Sequence, residues 1–309
     1  MPSILVIGSI NMDQHMVLPR FPVCGETVMG KALSYSPGGK GGNAAIAARR
    51  LGAHVRFAGC VGRDGFGDTL RQTLCDEDVD CSLLRTTDQA PTGLAPILVE
   101  DGGLNRIIVF PGANMCIRQE DVPAMFQEKV DAVMMQLEIP QEVILAAGRE
   151  AKKRGIPVVL DAGPAQDFPV ESLESLFILS PNETETTALT GLPVDTDQQV
   201  RAAAAALQAR SGAPYIVLKL GARGAYVLGQ GADAFVPAFP VQAVDPTAAG
   251  DTFTGAMTIE YLRSGNILQA VTTACAAGAL CATRMGAQIS LPTMEEVRAF
   301  LEERGAHRS

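Results

Sequence analysis

The chain has 309 residues, 47% of them apolar, 5% aromatic and none tryptophan, which is enough aliphatic material for one large α/β core. Its formal charge of −9 argues against a nucleic-acid surface, and no apolar run reaches the ~18 residues that a membrane helix needs. The start enters Ile4-Leu5-Val6-Ile7-Gly8 without a basic leader, and cysteines 24, 60, 75, 81, 116, 275 and 281 show no CxxC spacing, with only His15, His54 and His307 to join them; this pattern predicts a cytoplasmic protein with free thiols and no zinc site.

In chain order, a buried-strand pattern covers residues 4–10, and residues 14–37 read as short strands with Pro and Gly turns. A helical composition over 41–51, an apolar run over 55–61 and a second helical stretch over 68–76 follow. Residues 92–111 again read as short strands and turns. Apolar runs at 132–137, 158–160, 177–179 and 216–218 then alternate with helical patterns at 141–154 and 200–210. After Gly250 three helices are predicted, over 252–263, 268–285 and 294–303. Buried strands alternating with helices predict an α/β fold, a mostly parallel sheet covered on both faces. Ligands of such sheets bind at the carboxyl ends of strands, and Asn11, Glu138, Asn182 and Gly221 each follow a predicted strand end. With no repeat or linker in view, residues 1–309 are expected to form one domain.

The most informative stretch is Asp245-Pro246-Thr247-Ala248-Ala249-Gly250-Asp251-Thr252-Phe253-Thr254-Gly255. Small residues Ala248, Ala249 and Gly250 open a helix whose free amides and positive dipole end form an anion hole. Asp251, in the first turn, sits where a base can take a proton from a hydroxyl attacking phosphorus. A helix cap is the plain alternative for this aspartate. Gly38-Gly39-Lys40-Gly41-Gly42 lacks the Ser or Thr after lysine that a Walker P-loop requires. As a dinucleotide fingerprint it is weakened by the poor strand before it, residues 34–37. Asn11 and Asp13, two apart, share one side of an extended chain and suit sugar hydroxyls, though turn residues would look the same.

Taken together, Ser9-Ile10-Asn11-Met12-Asp13, Gly38 to Ala45, Gln136-Leu137-Glu138, Pro181 to Glu185, Leu220 to Gly224 and the Asp251 string occur in one order along nearly the whole chain. In these motifs the chain resembles the ribokinase-type (PfkB) family of carbohydrate kinases. The resemblance implies ATP-dependent phosphorylation of a sugar primary hydroxyl, ribose to ribose 5-phosphate, with Asp251 as base. Deoxyribose, a ketohexose or a nucleoside are alternative acceptors; an oxidoreductase or a non-catalytic sugar sensor are alternatives of other classes.

By the same resemblance, Asn11, Met12, Asp13, Gly39, Lys40, Gly41, Gly42, Asn43 and Glu138 join Asp251 around the sugar. Lys219, Leu220, Gly221, Ala222, Arg223 and Gly224 form the nucleotide loop, and Asn182, Gly250, Asp251 and Cys275 complete the ATP site. Asn182 and Glu185 match the family's NxxE motif and hold Mg²⁺ through waters, although Pro181-Asn182-Glu183 is also a good helix start. Asp245, Thr247, Cys281, Arg284, Gly286 and Ser290 fall where the family binds a monovalent cation, K⁺, largely through backbone oxygens. Lys219 stands where a small hydroxyl residue is common and Ala222 where serine is. Finally, residues 14–37 and 92–111 would make a β-sheet lid over the sugar, whose outer face pairs two subunits into a homodimer.

Overall fold

A computed structural model describes residues 1–102 and 104–305. The chain enters as β1 (Ser3–Ile7), leaves the core as β2 (Asn11–Leu18) and β3 (Ala32–Gly38), and returns through α1 (Lys40–Arg50) to β4 (His54–Gly62). After α2 (Gly65–Asp76) and β5 (Leu84–Thr87) it leaves again as β6 (Gly93–Glu100) and β7 (Asn105–Ile107). A one-turn helix, α3 (Val122–Met125), leads to β8 (Ala132–Gln136), α4 (Gln141–Arg154), β9 (Val158–Asp161) and β10 (Leu176–Ser180). Helices α5 (Glu183–Thr190) and α6 (Asp197–Ser211) precede β11 (Tyr215–Lys219), β12 (Ala225–Gly229) and β13 (Ala232–Val236). Helices α7 (Ala249–Ser264), α8 (Ile267–Ala282) and α9 (Met294–Glu303) close the chain.

Nine strands form the main sheet in the order β13-β12-β11-β10-β9-β8-β1-β4-β5, parallel except for the β11-β12-β13 edge. Its central strands are buried on both faces, so each supplies two cores by alternation. In β1, Ile4 and Val6 point into the core shared with α1, α7 and α8, while Leu5 and Ile7 point into the opposite core beneath α4 and α6. The antiparallel edge was not among the predicted elements, although Gln230 and Gly231, at φ 23 and 83, make the kind of turn that joins two-residue hairpins.

The two excursions pair as a four-stranded lid, ordered β3-β2-β6-β7. Asn11 through Leu18 run parallel to Gly93 through Glu100, which stitches the excursions together across the site. Among the described residues no helix is long and apolar enough to cross a membrane.

Candidate active site

The loop Gly8–Ile10 joins β1 to β2, and α1 begins against it. A Cβ on Gly39, which sits at φ +86, would lie 2.6 Å from the Asn11 amide nitrogen; one on Gly41 would lie 2.6 Å from the Ser9 carbonyl oxygen. The Gly42 amide donates to that same carbonyl at 2.9 Å. These three glycines, expected to wall the sugar, let the helix press onto its neighbouring loop. That packing delivers the side chains of Lys40 and Asn43 to the site.

Asn11 and Asp13 begin β2 on one face, both buried. Met12 was expected among the sugar contacts, but strand alternation turns its side chain the other way, into the core. Asn114, which sequence reasoning missed, fixes Asn11: its Nδ2 donates to Asn11 Oδ1 at 2.7 Å and its Oδ1 accepts from the Ile10 amide at 2.9 Å. Glu138, two residues beyond β8, accepts from Ser9 Oγ at 2.5 Å. Asn43 Nδ2 donates to Asp251 Oδ2 at 2.8 Å, and its buried Oδ1 has no partner among the described residues, an acceptor suited to a ligand hydroxyl.

Three buried carboxyls thus lie close together. Burial, then the charges of Glu138 and Asp251, push the Asp13 carboxyl up to about 7. Burial also raises Glu138 and Asp251, against the pull of Lys40, whose Nζ lies 3.7 Å from Asp251 Oδ1. Burial disfavours the Lys40 charge, but Asp251, Asp161, Glu185 and Glu138 together outweigh it and hold this ammonium well above the usual lysine range. A raised carboxyl pKa gives Asp251 the basicity that proton abstraction requires.

The catalytic helix begins at Ala249, three residues earlier than predicted, because Ala248 adopts a left-handed turn at φ 62. The Ala249 amide donates to Pro246 O at 3.1 Å, so it drops out of the expected anion hole. The Gly250 and Asp251 amides remain, in the first turn where a helix offers no acceptor of its own.

Beside them lie two clefts. One of about 500 Å³ is walled by Gly221, Ala222, Gly224, Phe253 and Cys275 among others, and is largely apolar, as a purine requires. Burial pushes the Cys275 thiol up to about 12, so it remains neutral there. The other, about 410 Å³, is a polar groove bounded by Lys40, Asn182, Glu185, Lys219, Gly250 and Asp251. Lys219 meets both clefts. It is not solvated: its Nζ lies 2.7 Å from Asp161 Oδ1 at the end of β9. Two members of the expected nucleotide loop turn elsewhere. Leu220 is packed in the core, and Arg223 bonds to Glu183 at 3.0 Å and Val194 O at 2.6 Å.

Asn182 and Glu185 form a full capping box on α5, Asn182 Oδ1 accepting from the Glu185 amide at 2.9 Å and Glu185 Oε2 from the Asn182 amide at 2.7 Å. Glu185 Oε1 is left facing Gly163 and Lys40. On the other side of the helix start, Asp245 ties two loops: it accepts from the Thr247 amide at 3.0 Å and, through its second oxygen, from the Gly286 amide at 2.9 Å. Cys281 Sγ lies 3.5 Å from Thr247 O and 3.1 Å from Ser290 Oγ. The side chain of Arg284 pairs with Glu296. Among the described residues no three His, Cys, Asp or Glu side chains converge to hold a metal directly, and His307 lies outside those residues.

A helix start with open amides, an aspartate in its first turn and a buried pocket of hydroxyl-binding side chains beside a four-stranded lid are the parts that phosphoryl transfer to a small hydroxylated substrate needs. The family described as pfkB family carbohydrate kinase matches residues 1–294, and the chain belongs to it. It is 38% identical over 305 residues to a ribokinase of Haemophilus influenzae, covering 97% of this chain and 98% of that one. It is 34% identical over 302 residues to a deoxyribokinase of Salmonella typhi, covering 97% and 98%. Among solved structures, ribokinase of Arabidopsis thaliana complexed with ribose and ATP superposes with a TM-score of 0.88 at 33% identity, covering 97% of this chain and 99% of that one.

Proposed function

We propose that this carbohydrate kinase transfers the γ-phosphoryl group of ATP to the primary hydroxyl of ribose, giving ribose 5-phosphate and ADP. The observation that carries the reading is the position of Asp251, bonded to Asn43 of the polyol pocket at 2.8 Å while its own amide and that of Gly250 open the polar groove. Asn11, Asp13, Asn43 and Glu138 hold the ring hydroxyls. Asp251 takes the proton of the primary hydroxyl as its oxygen bonds to phosphorus; the bond from phosphorus to the β–γ bridging oxygen breaks and ADP leaves. The Gly250 and Asp251 amides and the Lys40 ammonium meet the charge of the transferred group. The lid shuts out water, which would otherwise compete with the sugar.

Magnesium neutralises triphosphate charge, and Glu185 is suited to hold its waters through Oε1 while the capping box with Asn182 keeps that carboxylate in place. The Asp245-tied loops, carrying Thr247, Cys281, Gly286 and Ser290, suit a monovalent cation such as K⁺ that braces the helix start. Leu33 and Tyr35 on the lid's β3 edge, Ile107 at the end of β7 and Phe110 beyond it leave apolar side chains exposed, which supports a homodimer joined through the lid. Seven free cysteines suit a reducing cytoplasm.

The test is turnover with ATP and Mg²⁺ on pentoses, hexoses and nucleosides, each with K⁺ and with a large organic cation. Ribose should give the highest kcat/KM, with 2-deoxyribose the chief rival given the deoxyribokinase relative. A preference for 2-deoxyribose would move the acceptor, and transfer to no sugar would end the reading.

A further inference from the structure

We propose that Asp161 and Thr254 position Lys219 as a fixed cation beneath the anion hole, so that the Lys219 ammonium binds the phosphoryl group in transfer. The proposal rests on the kinase reading and adds a catalytic lysine and its two positioning residues to it. Lys219 ends β11, and its side chain crosses the carboxyl end of β10 to reach Asp161 on β9, with Nζ 2.7 Å from Oδ1. The second carboxylate oxygen accepts from Thr254 Oγ1 at 3.0 Å. Thr254 is one turn along α7 from Gly250, and the same hydroxyl meets Gly250 O at 3.1 Å. Two side chains therefore link the lysine to the turn that carries the anion-hole amides. Lys219 Nζ lies 3.7 Å from where a Cβ on Gly250 would stand.

Charge points the same way. The polar groove is lined by the carboxylates Glu183, Glu185 and Asp251, which repel a triphosphate, and Lys40 and Lys219 are the ammonium groups among its lining residues. Lys40 sits over Asp251. Lys219 is the cation at the junction of the polar groove with the purine-sized cleft, where the phosphate chain has to pass. A buried ion pair adds little net stability compared with two neutral groups of the same shape, whereas breaking one by removing a single partner is strongly destabilising. The pair therefore needs a reason other than stability, and holding a fixed charge where phosphate charge develops supplies one.

That contrast gives the experiment. Lys219→Met and Asp161→Asn are made singly and together, and kcat, KM for ribose, calorimetric ADP binding and Tm are measured for each. Lys219→Met should lower both Tm and kcat, the latter on the order of 10²-fold, as loss of one preorganised transition-state contact does. Asp161→Asn should lower kcat roughly tenfold through the misplaced lysine, with KM for ribose unchanged. The double variant, which removes both charges, should recover the parental Tm to within a few degrees and still keep the kcat of Lys219→Met. A double variant that regains turnover to within about threefold of the parent would show the pair to be structural and overturn the proposal, as would parental kcat in a folded Asp161→Asn protein. Turnover of the parent is measured first, so that a failure of the kinase reading is seen separately.

Discussion

Asp13 should weaken the fold in the act of serving the substrate, and replacing it with asparagine separates the two. In the folded protein its carboxyl is pushed from 3.8 up to about 7, first by burial and then by Glu138 and Asp251. The folded state holds this proton more tightly than the unfolded chain, so stability is greatest below about pH 4, falls as pH climbs to about 7 and is constant above. A shift of about three pH units corresponds to about 4 kcal/mol. Asparagine has the same shape and never ionises. For about 300 residues the unfolding entropy is on the order of 0.6 kcal/mol/K, so Asp13→Asn should raise Tm by about 6 °C at pH 8 and hardly at all at pH 4. The sugar site should respond in the opposite sense. Losing a charged acceptor for hydroxyls costs about 1.5–3 kcal/mol, an increase of roughly 10–100-fold in KM. Parental KM should also fall as pH rises through 7, a trend the variant lacks. Calorimetric scans at pH 4 and pH 8, with sugar kinetics between pH 6 and pH 8, check both. An equal Tm difference at the two pH values, or a less stable variant at pH 8, refutes the account of Asp13 as an ionised group under strain.

Asp251→Asn should keep its bond to Asn43, hold its Tm and bind ADP, while kcat falls on the order of 10²–10⁴-fold; a near-parental kcat would remove the base. At equal ionic strength, turnover should be higher in K⁺ than in tetramethylammonium because the Asp245-tied loops are braced, and equal rates would dismiss the cation. The double replacement Leu33→Asp with Tyr35→Glu should leave a monomer in sedimentation experiments; an unchanged sedimentation coefficient would place any dimer contact elsewhere.

Residues whose role follows from the backbone were the most legible in the sequence. Asp251 and Gly250 stand out because the whole string around them matches the family's, since an acid in a first helical turn is by itself commonly a cap, and Asn11 with Asp13 because period-two spacing puts both on one face. The same period should have removed Met12 from the sugar contacts, since a residue between two inward side chains points outward from them. Glycines are less specific: Gly39 and Gly41 mark a close approach, but the sequence cannot say whether ligand or chain does the approaching. Asp161 was readable by the rule that singled out Glu138, an acid at the end of a buried strand, and was passed over. Asn114 carries no such mark. Its importance comes from a one-turn loop lying over Ile10 and Asn11, a contact across more than a hundred residues that no local pattern records.

The order of strands in the main sheet bears on how the chain reaches this state. β1, the first strand synthesised, lies between β4 and β8, and the lid strand β2 pairs with β3 at once but finds its second partner only when β6 has been made. The catalytic helix packs on α1, from the opposite third of the chain. A nascent chain ending near residue 200 carries the pocket residues Asn11, Asp13, Asn43 and Glu138 but lacks Asp251, Gly250 and the helices that cover one face of its sheet. Such an intermediate would expose the apolar face carrying Ile4, Val6 and Ile46, the kind of surface that invites aggregation or chaperone capture. With so many pairings between distant segments, folding should be slow for a protein of this size and should finish with the docking of α7 and α8. Activity would then appear late and all at once, after most of the secondary structure is already in place.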